Sequence, residues 1–296
     1  MESIFEGSGV ALITPMNDDL TVNYEKLEEL IEEQIAEGTD ALISCGTTGE
    51  ASTLTHEEHL RVIQRSVEIV NHRIPVVAGS GSNSTDTAIE MSIESEKYGA
   101  DGLLLVSPYY NKATQKGLIH HYTQIAHAVK IPCLLYNIPS RTGLTIQPET
   151  AAHLGKNVSN IVGMKEASGN FTNILRTLEF LDGHEFDLYS GNDDQIIPLM
   201  SLGAKGVISV LACVAPRKTH ELCRAMLDED VKKAAAMQIE AAELIHQLFI
   251  EVNPIPVKTA MNLMGKEVGP LRLPLCEMET ANLESLKKAM KEYGIL

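Results

Sequence analysis

The 296-residue sequence has no apolar run that approaches the roughly 20 residues needed for a membrane-spanning helix. Positive charge is also scarce, because 24 lysines and arginines stand against 40 aspartates and glutamates, which gives a net charge of −16. Such a chain repels nucleic acid and anionic membrane surfaces, so functions that bind either are excluded. An anionic substrate would have to be drawn in by a local positive site.

Cysteine is infrequent, and its five positions show no paired spacing. An odd number of unpaired cysteines is typical of a reducing compartment, and Cys45 and Cys133 lie in apolar runs, where cysteine acts as a small core residue. The first six residues, MESIFE, lack the basic segment and following apolar segment of a secretory signal. We therefore expect a cytoplasmic protein.

The sequence does contain a regular alternation of two kinds of segment. Hydrophobic residues make up 44% of the chain and charged residues 22%, which supports a sizeable core. Eight short runs are mostly apolar throughout, as is typical of strands covered on both faces. These runs span residues 9–13, 41–45, 75–78, 102–106, 133–136, 161–165, 187–190 and 206–210.

Segments with helical periodicity separate the apolar runs. Thr55 and Glu58 form a capping-box pattern at one helix start, and Pro148 suits the first position of another. The predicted helices between the runs span residues 24–37, 56–70, 85–98, 116–129, 148–154, 170–181 and 193–202. After the eighth run, helices are predicted at residues 216–227, 231–249, 258–264 and 279–291, with a proline-rich stretch at 253–257.

Eight strands alternating with helices predict an α/β protein with a parallel sheet, and this number of strands matches the closed (β/α)8 TIM barrel. An open, doubly wound sheet is the alternative. The helices that follow the eighth strand exceed what a barrel needs. We therefore expect a catalytic barrel over residues 1–225 and a C-terminal helical appendage over residues 226–296.

Lys165 ends the sixth apolar run, which is an unusual place for a lysine. An unpaired ammonium group is costly to bury, and one way to lower this cost is to release the proton. The neutral amine is a nucleophile that forms Schiff bases with carbonyl compounds. Alternatively, only the stem is buried and the charged end reaches water or a carboxylate such as Glu166, which we place in a loop at 166–170.

Residues suited to holding a carboxylate follow the second and fifth runs. In the segment GTTGE (46–50), the glycines let the backbone approach a ligand, and Thr47 and Thr48 offer hydroxyl groups. Tyr136 closes the fifth run, and Arg141 follows in a predicted loop, where its planar guanidinium would match two carboxylate oxygens. Each also has a structural interpretation, namely a simple turn, a packing tyrosine or a surface ion pair.

These side chains gain meaning as a group, because the active sites of β/α barrels lie at the carboxyl ends of the strands. An amine nucleophile, a phenol, hydroxyl groups and a guanidinium on one rim suit a 2-oxo acid. The lysine would attack the ketone, the phenol would move protons, and the hydroxyl and N–H groups would hold the carboxylate.

Four motifs resemble those of the dihydrodipicolinate synthase family, within the wider group of pyruvate-dependent class I aldolases that includes N-acetylneuraminate lyase. They are GTTGE (46–50), SPYYN (107–111), YNIPSRTG (136–143) and GMKEASGN (163–170). The resemblance covers nearly the whole chain. It implies condensation of pyruvate with L-aspartate-4-semialdehyde, the first committed step of lysine and diaminopimelate synthesis, with no metal and no separate cofactor.

The resemblance also implies a role for individual residues. Lys165 would form the Schiff base and Tyr136 would transfer protons. Thr47 and Tyr110 would complete a proton relay, with Tyr110 contributed across a subunit interface. The remaining implied positions bind substrate: Thr48 and the Ile208 backbone hold pyruvate, Arg141 receives the carboxylate of the semialdehyde, and Gly191 lines the site.

Several alternatives stay open at this point. A sister lyase or aldolase acting on a sugar acid resembles the chain at the glycine motif and the lysine strand, but such enzymes typically lack the equivalent of Arg141. A noncatalytic metabolite-binding barrel would not need Lys165 or Tyr136. A metal-dependent aldolase is weakly suggested by His56 and His59, which are three residues apart at a helix start but have no evident third partner. The segment GSGSN (79–83) resembles a phosphate loop only loosely.

The resemblance further implies a homotetramer, built as a dimer of dimers with Tyr109 and Tyr110 at the tight interface. Members of the family that lysine inhibits bind it at this interface through residues that match Ala51, Ser52, His56, His59, Asn83, Thr87 and Tyr109. The inhibited pattern has a glutamate where this chain has Thr87, and a hydroxyl does not replace that charge. We therefore expect weak or absent inhibition by lysine, unless Asp86 or Glu90 takes over the role.

Overall fold

The computed structural model describes residues 3–296, so the first two residues of the amino-terminal hexapeptide lie outside the described part. Within residues 3–296, eight parallel strands close into a barrel in chain order. The strands are β1 (Gly7–Ala11), β2 (Ala41–Ser44), β3 (Val76–Gly79), β4 (Gly102–Val106), β5 (Cys133–Asn137), β6 (Ile161–Glu166), β7 (Asp187–Ser190) and β8 (Gly206–Ser209).

The barrel closes where the first strand pairs with the last. β1 pairs in parallel with both β2 and β8, and Gly7 lies opposite Gly206 in this register. A side chain at Gly206 would overlap the backbone of Gly7, with a Cβ only 1.8 Å from its carbonyl oxygen. Closure therefore requires a glycine here. The predicted (β/α)8 barrel is confirmed, and the open sheet is wrong.

Helices surround the strands. They are α1 (Tyr24–Ala36), α2 (His56–Val70), α3 (Thr85–Lys97), α4 (Gln115–His127), α5 (Pro139–Thr142), α6 (Pro148–Asn157), α7 (Phe171–Leu181), α8 (Ile196–Met200), α9 (Pro216–Leu227), α10 (Val231–Leu248), α11 (Ile255–Leu263) and α12 (Thr280–Tyr293). Single 3₁₀ turns lie at Ala51–Thr53, Asp193–Gln195 and Leu211–Cys213. No helix in the described part of the chain is both long and apolar enough to cross a membrane.

Local sequence signals explain several of these boundaries. The predicted capping box at the start of α2 is present in full, because the Thr55 hydroxyl accepts from the Glu58 N–H and the Glu58 carboxylate accepts from the Thr55 N–H. Pro148 begins α6, where its missing N–H costs nothing. β2 and β3 are buried at every residue, which explains their lack of polar alternation.

Three predicted segments differ from the structure near the site. Glu166 belongs to β6 rather than to a loop, because it pairs with Asn137 on β5 and Ser190 on β7. Its carboxylate accepts from the Asn137 side chain and from the Ser168 N–H. Arg141 lies on the short helix α5 rather than in a loop. The predicted helix 193–202 divides into a 3₁₀ turn and α8. The first and third differences depend on contacts with neighbouring strands and loops, which periodicity does not reveal. The helix α5 is a single turn closed by local hydrogen bonds to the Ile138 and Pro139 carbonyls.

The C-terminal helices continue the packing of the barrel. α9 packs against β1, and α10, α11 and α12 contact one another. Leu248, Val257 and Met290 belong to the same apolar cluster as barrel residues such as Ile31 and Leu103. The expected boundary at residue 226 falls in the last turn of α9, and the division into 1–225 and 226–296 stays a prediction.

Candidate active site

A cavity of about 670 Å³ lies at the carboxyl ends of the strands, where the sequence predicted the site. The structure brings six of the eight predicted site residues to its wall: Thr47, Thr48, Tyr136, Arg141, Lys165 and Gly191. Residues 249–253, which follow α10, complete the wall from the C-terminal side. The cavity is therefore formed jointly by the barrel rim and the C-terminal segment.

Two predicted site residues lie elsewhere. The side chain of Ile208, on β8, is 1% exposed and packs inside the barrel with Tyr136 and Tyr189. Only the backbone of Ile208 is thus available to hold pyruvate, which is the role that the resemblance implies. Tyr110 is 92% exposed and has a positive φ of 69°, an uncommon conformation for a bulky residue. Within one chain it does not reach the cavity.

Lys165 is buried near the end of β6, opposite Tyr136 on β5 and Tyr189 on β7 in the strand register. Its Nζ lies 4.5 Å from the centroid of the Tyr136 ring. Burial lowers the pKa of Lys165 from 10.5 to about 8; the Asp193 carboxylate opposes this shift and the Arg141 guanidinium adds to it. Glu166 points to other partners, so it is not the counterion of Lys165. At a pKa of about 8, roughly one-tenth of this amine is neutral at pH 7, far more than for an ordinary lysine.

Tyr136 and Thr47 form the next part of the site. Burial raises the pKa of Tyr136 to about 12, while the Arg141 charge and a side-chain hydrogen bond with Thr47 act in the opposite direction. The phenol is therefore protonated at neutral pH and lies next to the amine. A neutral phenol linked to a hydroxyl group is suited to passing a proton between the reacting carbon or oxygen atoms and a second group.

Asp193 is a buried carboxylate near the amine that the sequence reasoning missed. Its Oδ1 accepts from the Ser209 hydroxyl at 2.5 Å, and its Oδ2 accepts from the backbone N–H groups of Val210 and Leu211 at 3.0 and 2.9 Å. It therefore fixes the loop after β8 and places a negative charge near Lys165. The only sequence signal for a role of Asp193 was its position in the segment GNDD (191–194), which follows the seventh strand.

Gly191 leaves room for the Lys165 side chain. A Cβ at this position would lie 2.6 Å from the Ala167 Cβ and 3.0 Å from the Lys165 Cε. The backbone is fixed there because the Gly191 N–H donates to the Glu166 carbonyl at 2.8 Å. Any larger residue would therefore push the amine out of position.

Asn253 joins the C-terminal segment to the site and was also missed. Its Nδ2 donates to the Thr48 Oγ1 at 3.0 Å, and its backbone carbonyl accepts from the Arg141 Nη2 at 2.9 Å. Because Thr48 accepts from Asn253, the hydroxyl hydrogen of Thr48 is free to point at a ligand. The sequence showed only a proline-rich stretch that begins at this residue.

A buried ion pair holds the GTTGE segment. Lys258, on α11, donates to the Glu50 Oε1 at 2.7 Å and to the carbonyls of Thr14 and Pro270, and both charged side chains are almost fully buried. The other Glu50 oxygen accepts from the Arg272 backbone N–H at 3.1 Å. Glu50 has a positive φ of 54°. The C-terminal segment therefore fixes the loop that carries Thr47 and Thr48.

A second cavity of about 370 Å³ adjoins the first and shares Thr47, Tyr136 and Arg141 with it. The wall of this second cavity includes residues that the resemblance connects with the binding of lysine: Ala51, Ser52, His56, His59, Thr87 and Tyr109. Among the described residues, no aspartate or glutamate lies on the wall of this cavity. Asp86 and Glu90, the two carboxylates considered as replacements, therefore do not line it. The loop 79–82, which loosely resembled a phosphate loop, forms another part of this wall.

The ring of His59 is held by the protein. Its Nε2 lies 2.7 Å from the Gly79 carbonyl oxygen, and burial lowers the pKa of the imidazole to about 4. The neutral ring therefore donates this hydrogen bond and packs against β3. Within residues 3–296, no three His, Cys, Asp or Glu side chains come together to hold a metal ion.

Comparison with known proteins agrees with this geometry. The model of the dihydrodipicolinate synthetase family matches residues 4–293. The 4-hydroxy-tetrahydrodipicolinate synthase of Thermoanaerobacter sp. (strain X514) is 57% identical, with 99% of this chain and 98% of the relative covered. The enzyme of the same name from Lachnoclostridium phytofermentans is 54% identical, with 99% and 100% covered.

A solved structure gives the same result for the fold. The crystal structure of dihydrodipicolinate synthase from Aquifex aeolicus superposes with a TM-score of 0.96 at 45% sequence identity. The superposition includes 98% of this chain and 99% of the Aquifex chain. The match extends over the barrel, the cavity and the C-terminal helices alike. The chain belongs to the dihydrodipicolinate synthetase family.

Proposed function

We propose that this protein is a lyase with 4-hydroxy-tetrahydrodipicolinate synthase activity, condensing pyruvate with L-aspartate-4-semialdehyde in lysine and diaminopimelate synthesis. The observation that carries the proposal is the buried amine of Lys165, with its pKa lowered to about 8, on the wall of a cavity that also contains Tyr136 and Arg141. The family membership and the names of the similar enzymes support the same activity.

The chemistry begins with attack of the neutral Lys165 amine on the ketone carbon of pyruvate. Water leaves as the carbon–nitrogen double bond forms, and Tyr136 supplies the proton that the departing oxygen needs. Thr48 and the Ile208 backbone hold the pyruvate carboxylate. Loss of a methyl proton then gives an enamine, whose carbon attacks the aldehyde of the second substrate.

The second substrate supplies the group that releases the enzyme. Arg141 binds its carboxylate, and Tyr136, Thr47 and a partner subunit's copy of Tyr110 return a proton to the new alkoxide. The amino group of the former semialdehyde then attacks the imine carbon. This closes the ring and frees the Lys165 amine, so the overall reaction loses one water.

The test is a comparison of substrates. Purified protein should form a ring product from pyruvate and L-aspartate-4-semialdehyde, and should not cleave N-acetylneuraminate or 2-keto-3-deoxygluconate. Cleavage of a sugar acid with no condensation would favour the sister lyase instead. The position of Arg141 on the cavity wall supports the condensation, because a guanidinium suits a second carboxylate.

Arg141→Ala is expected to impair use of the semialdehyde more than use of pyruvate. A sheltered, charge-assisted contact contributes on the order of 2–4 kcal/mol, which corresponds to a roughly 30- to 1000-fold lower kcat/KM. Steady-state kinetics with each substrate varied in turn would measure this effect. If the variant instead lost imine formation with pyruvate, Arg141 would belong to the pyruvate subsite.

We also propose a homotetramer built as a dimer of dimers. The exposed Tyr110, held at a positive φ, supports a role that is completed by a neighbouring subunit. Sedimentation at working concentration should show a tetramer, and Tyr110→Phe should lower kcat without dissociating it. A fully active monomer would refute both the assembly and the shared relay.

Lysine is expected to inhibit weakly or not at all. The wall of the second cavity carries no carboxylate within the described residues to meet an ammonium group, and Thr87 offers only a hydroxyl. A lysine titration of the condensation reaction would measure this. Thr87→Glu provides a matched gain-of-function variant that should become more sensitive, whereas strong inhibition of the unmodified protein at submillimolar lysine would contradict the prediction.

The cellular location and the division of the chain also remain proposals. Five free cysteines, four of them buried, support a reducing cytoplasm. The packing of α9 against β1 supports assigning the chain up to about residue 225 to the barrel, and the mutual contacts of α10, α11 and α12 support grouping residues 226–296 as the C-terminal helices.

A further inference from the structure

The larger cavity carries the buried amine of Lys165 together with a second cationic side chain. Lys165 is 6% exposed and lies on the cavity wall, with its Nζ 4.5 Å from the centroid of the Tyr136 ring. Arg141 lies on the same wall, and its charge adds to the effect of burial in lowering the pKa of Lys165 to about 8. Desolvation and a neighbouring cation are the two means by which enzymes activate a lysine amine for attack on an oxo acid.

The charges on this wall favour a substrate with two carboxylates. Arg141 is permanently charged, and a protonated imine on Lys165 would also be cationic. Glu251 is the one carboxylate on the wall within residues 3–296. Its Oε1 accepts from the Glu279 N–H at 3.0 Å and from the Asn282 Nδ2 at 2.8 Å, which ties Glu251 to the start of α12. In a chain of net charge −16, this wall is therefore a local site that attracts a dianion.

Apolar side chains form another part of the same wall. They include Ile138, Ala167 and Val210 from the barrel loops, and Phe249, Ile250 and Val252 from the C-terminal segment. A carboxylate is costly to hold against apolar groups, whereas neutral carbon dioxide is not. Such surroundings favour a reaction in which a bound carboxylate loses its charge and departs as carbon dioxide.

We propose that this protein also decarboxylates oxaloacetate, with Lys165 as the nucleophile and Arg141 attracting the second carboxylate. Oxaloacetate is pyruvate with a carboxylate on its methyl carbon, so it offers the same 2-oxo acid group to Thr48 and the Ile208 backbone. The inference rests on the proposed function, because it uses the same imine on Lys165. It adds a second activity to that site, in which a carbon–carbon bond breaks where the condensation removes a methyl proton.

The reaction begins when the neutral Lys165 amine attacks the ketone carbon and water leaves as the carbon–nitrogen double bond forms. The protonated imine then accepts the electron pair of the bond to the second carboxylate. That bond breaks, carbon dioxide departs, and the enamine of pyruvate remains. Its carbon takes a proton from Tyr136, and water hydrolyses the imine to free pyruvate and the amine. The net reaction converts one oxaloacetate and one proton into one pyruvate and one carbon dioxide, so no oxidant or reductant is needed.

The experiment measures release of carbon dioxide from oxaloacetate with EDTA present, which suppresses decarboxylation by free metal ions. The unmodified protein should release carbon dioxide faster than buffer alone, with one pyruvate formed for each carbon dioxide. Lys165→Arg should return the rate to that of buffer. Tyr136→Phe should slow the reaction by about 100-fold or more, as when a positioned proton donor is lost. Release by the unmodified protein at the buffer rate, or by Lys165→Arg at the unmodified rate, would overturn the inference.

Two related compounds and one variant test the substrate class. 2-Oxoglutarate has its second carboxylate one carbon further from the ketone, so its imine cannot release carbon dioxide. Acetoacetate lacks the carboxylate next to the ketone, so it should be decarboxylated far more slowly than oxaloacetate. Equal rates with acetoacetate, or release from 2-oxoglutarate, would overturn the assignment. Arg141→Ala should raise the KM for oxaloacetate about tenfold or more with a smaller change in kcat, as when a charge-assisted contact is lost, and an unchanged KM would overturn the role of Arg141.

A parallel assay of the condensation distinguishes this inference from the proposed function. Condensation of pyruvate with L-aspartate-4-semialdehyde, but release of carbon dioxide from oxaloacetate only at the buffer rate, would overturn the inference alone. Release that depends on Lys165 without any condensation would support the inference and refute the proposed function. With both activities present, oxaloacetate should replace pyruvate in the condensation and release one carbon dioxide for each ring product, because both acids give the same enamine.

Discussion

Lys165→Arg is expected to fold normally and to lose condensation activity by about 10⁴-fold or more, as when a covalent nucleophile is removed. A guanidinium remains protonated under all conditions that proteins tolerate, so it cannot attack a ketone. The unmodified protein, treated with borohydride in the presence of pyruvate, should lose activity and gain a pyruvate-derived mass on the peptide that contains Lys165. The arginine variant should gain none.

The rate of this trapping should depend on pH in a specific way. With a pKa of about 8, roughly one-tenth of the Lys165 amine is neutral at pH 7, compared with about 0.03% for an ordinary pKa of 10.5. Because only the neutral amine reacts, the trapping rate should rise with pH and level off above about pH 8. Asp193→Asn removes a charge that favours the ammonium form, so it should move this profile to lower pH.

A second buried lysine provides an internal control. Burial also lowers the pKa of Lys258, but this residue is held by Glu50 and two backbone carbonyls. It should therefore remain unlabelled. Labelling of Lys258, or of any lysine other than Lys165, would contradict the assignment of the nucleophile.

Lys258→Met is expected to lower the free energy of unfolding by about 3–5 kcal/mol, because it leaves the Glu50 charge buried without its partner. Urea denaturation at one fixed protein concentration would measure the change. The loop that carries Thr47 and Thr48 is held by the same pair, so trapping of pyruvate on Lys165 should also become slower.

Two further variants identify the cause of the lost stability. Adding Glu50→Gln to Lys258→Met removes the unpaired charge and should restore at least half of the lost stability. Lys205→Met breaks the partly exposed pair with Glu6 and should cost less than about 1 kcal/mol. If the buried and the exposed pair proved equally costly, the pair of Lys258 and Glu50 would not brace the loop as we describe.

The sequence by itself determined the order of the strands and helices and the position of Lys165, the candidate nucleophile. Apolar runs such as those at 41–45 and 102–106 show that both strand faces are buried, and their alternation with helices leads to a parallel barrel. Parallel strands place their carboxyl ends on one rim, so Thr47, Tyr136, Arg141 and Lys165 could be grouped without coordinates. Family motifs then gave each residue a proposed role.

Only the tertiary structure decided which distant groups support the site around that lysine. Asp193, which follows β7, contacts Ser209 on the neighbouring strand β8. Asn253 reaches Thr48 over 205 positions, and Lys258 reaches Glu50 over 208. No local pattern specifies such pairs, because periodicity reports on neighbours within one helix or strand. The burial that lowers the pKa of Lys165 likewise depends on the whole cavity wall, to which the C-terminal segment contributes as directly as the barrel.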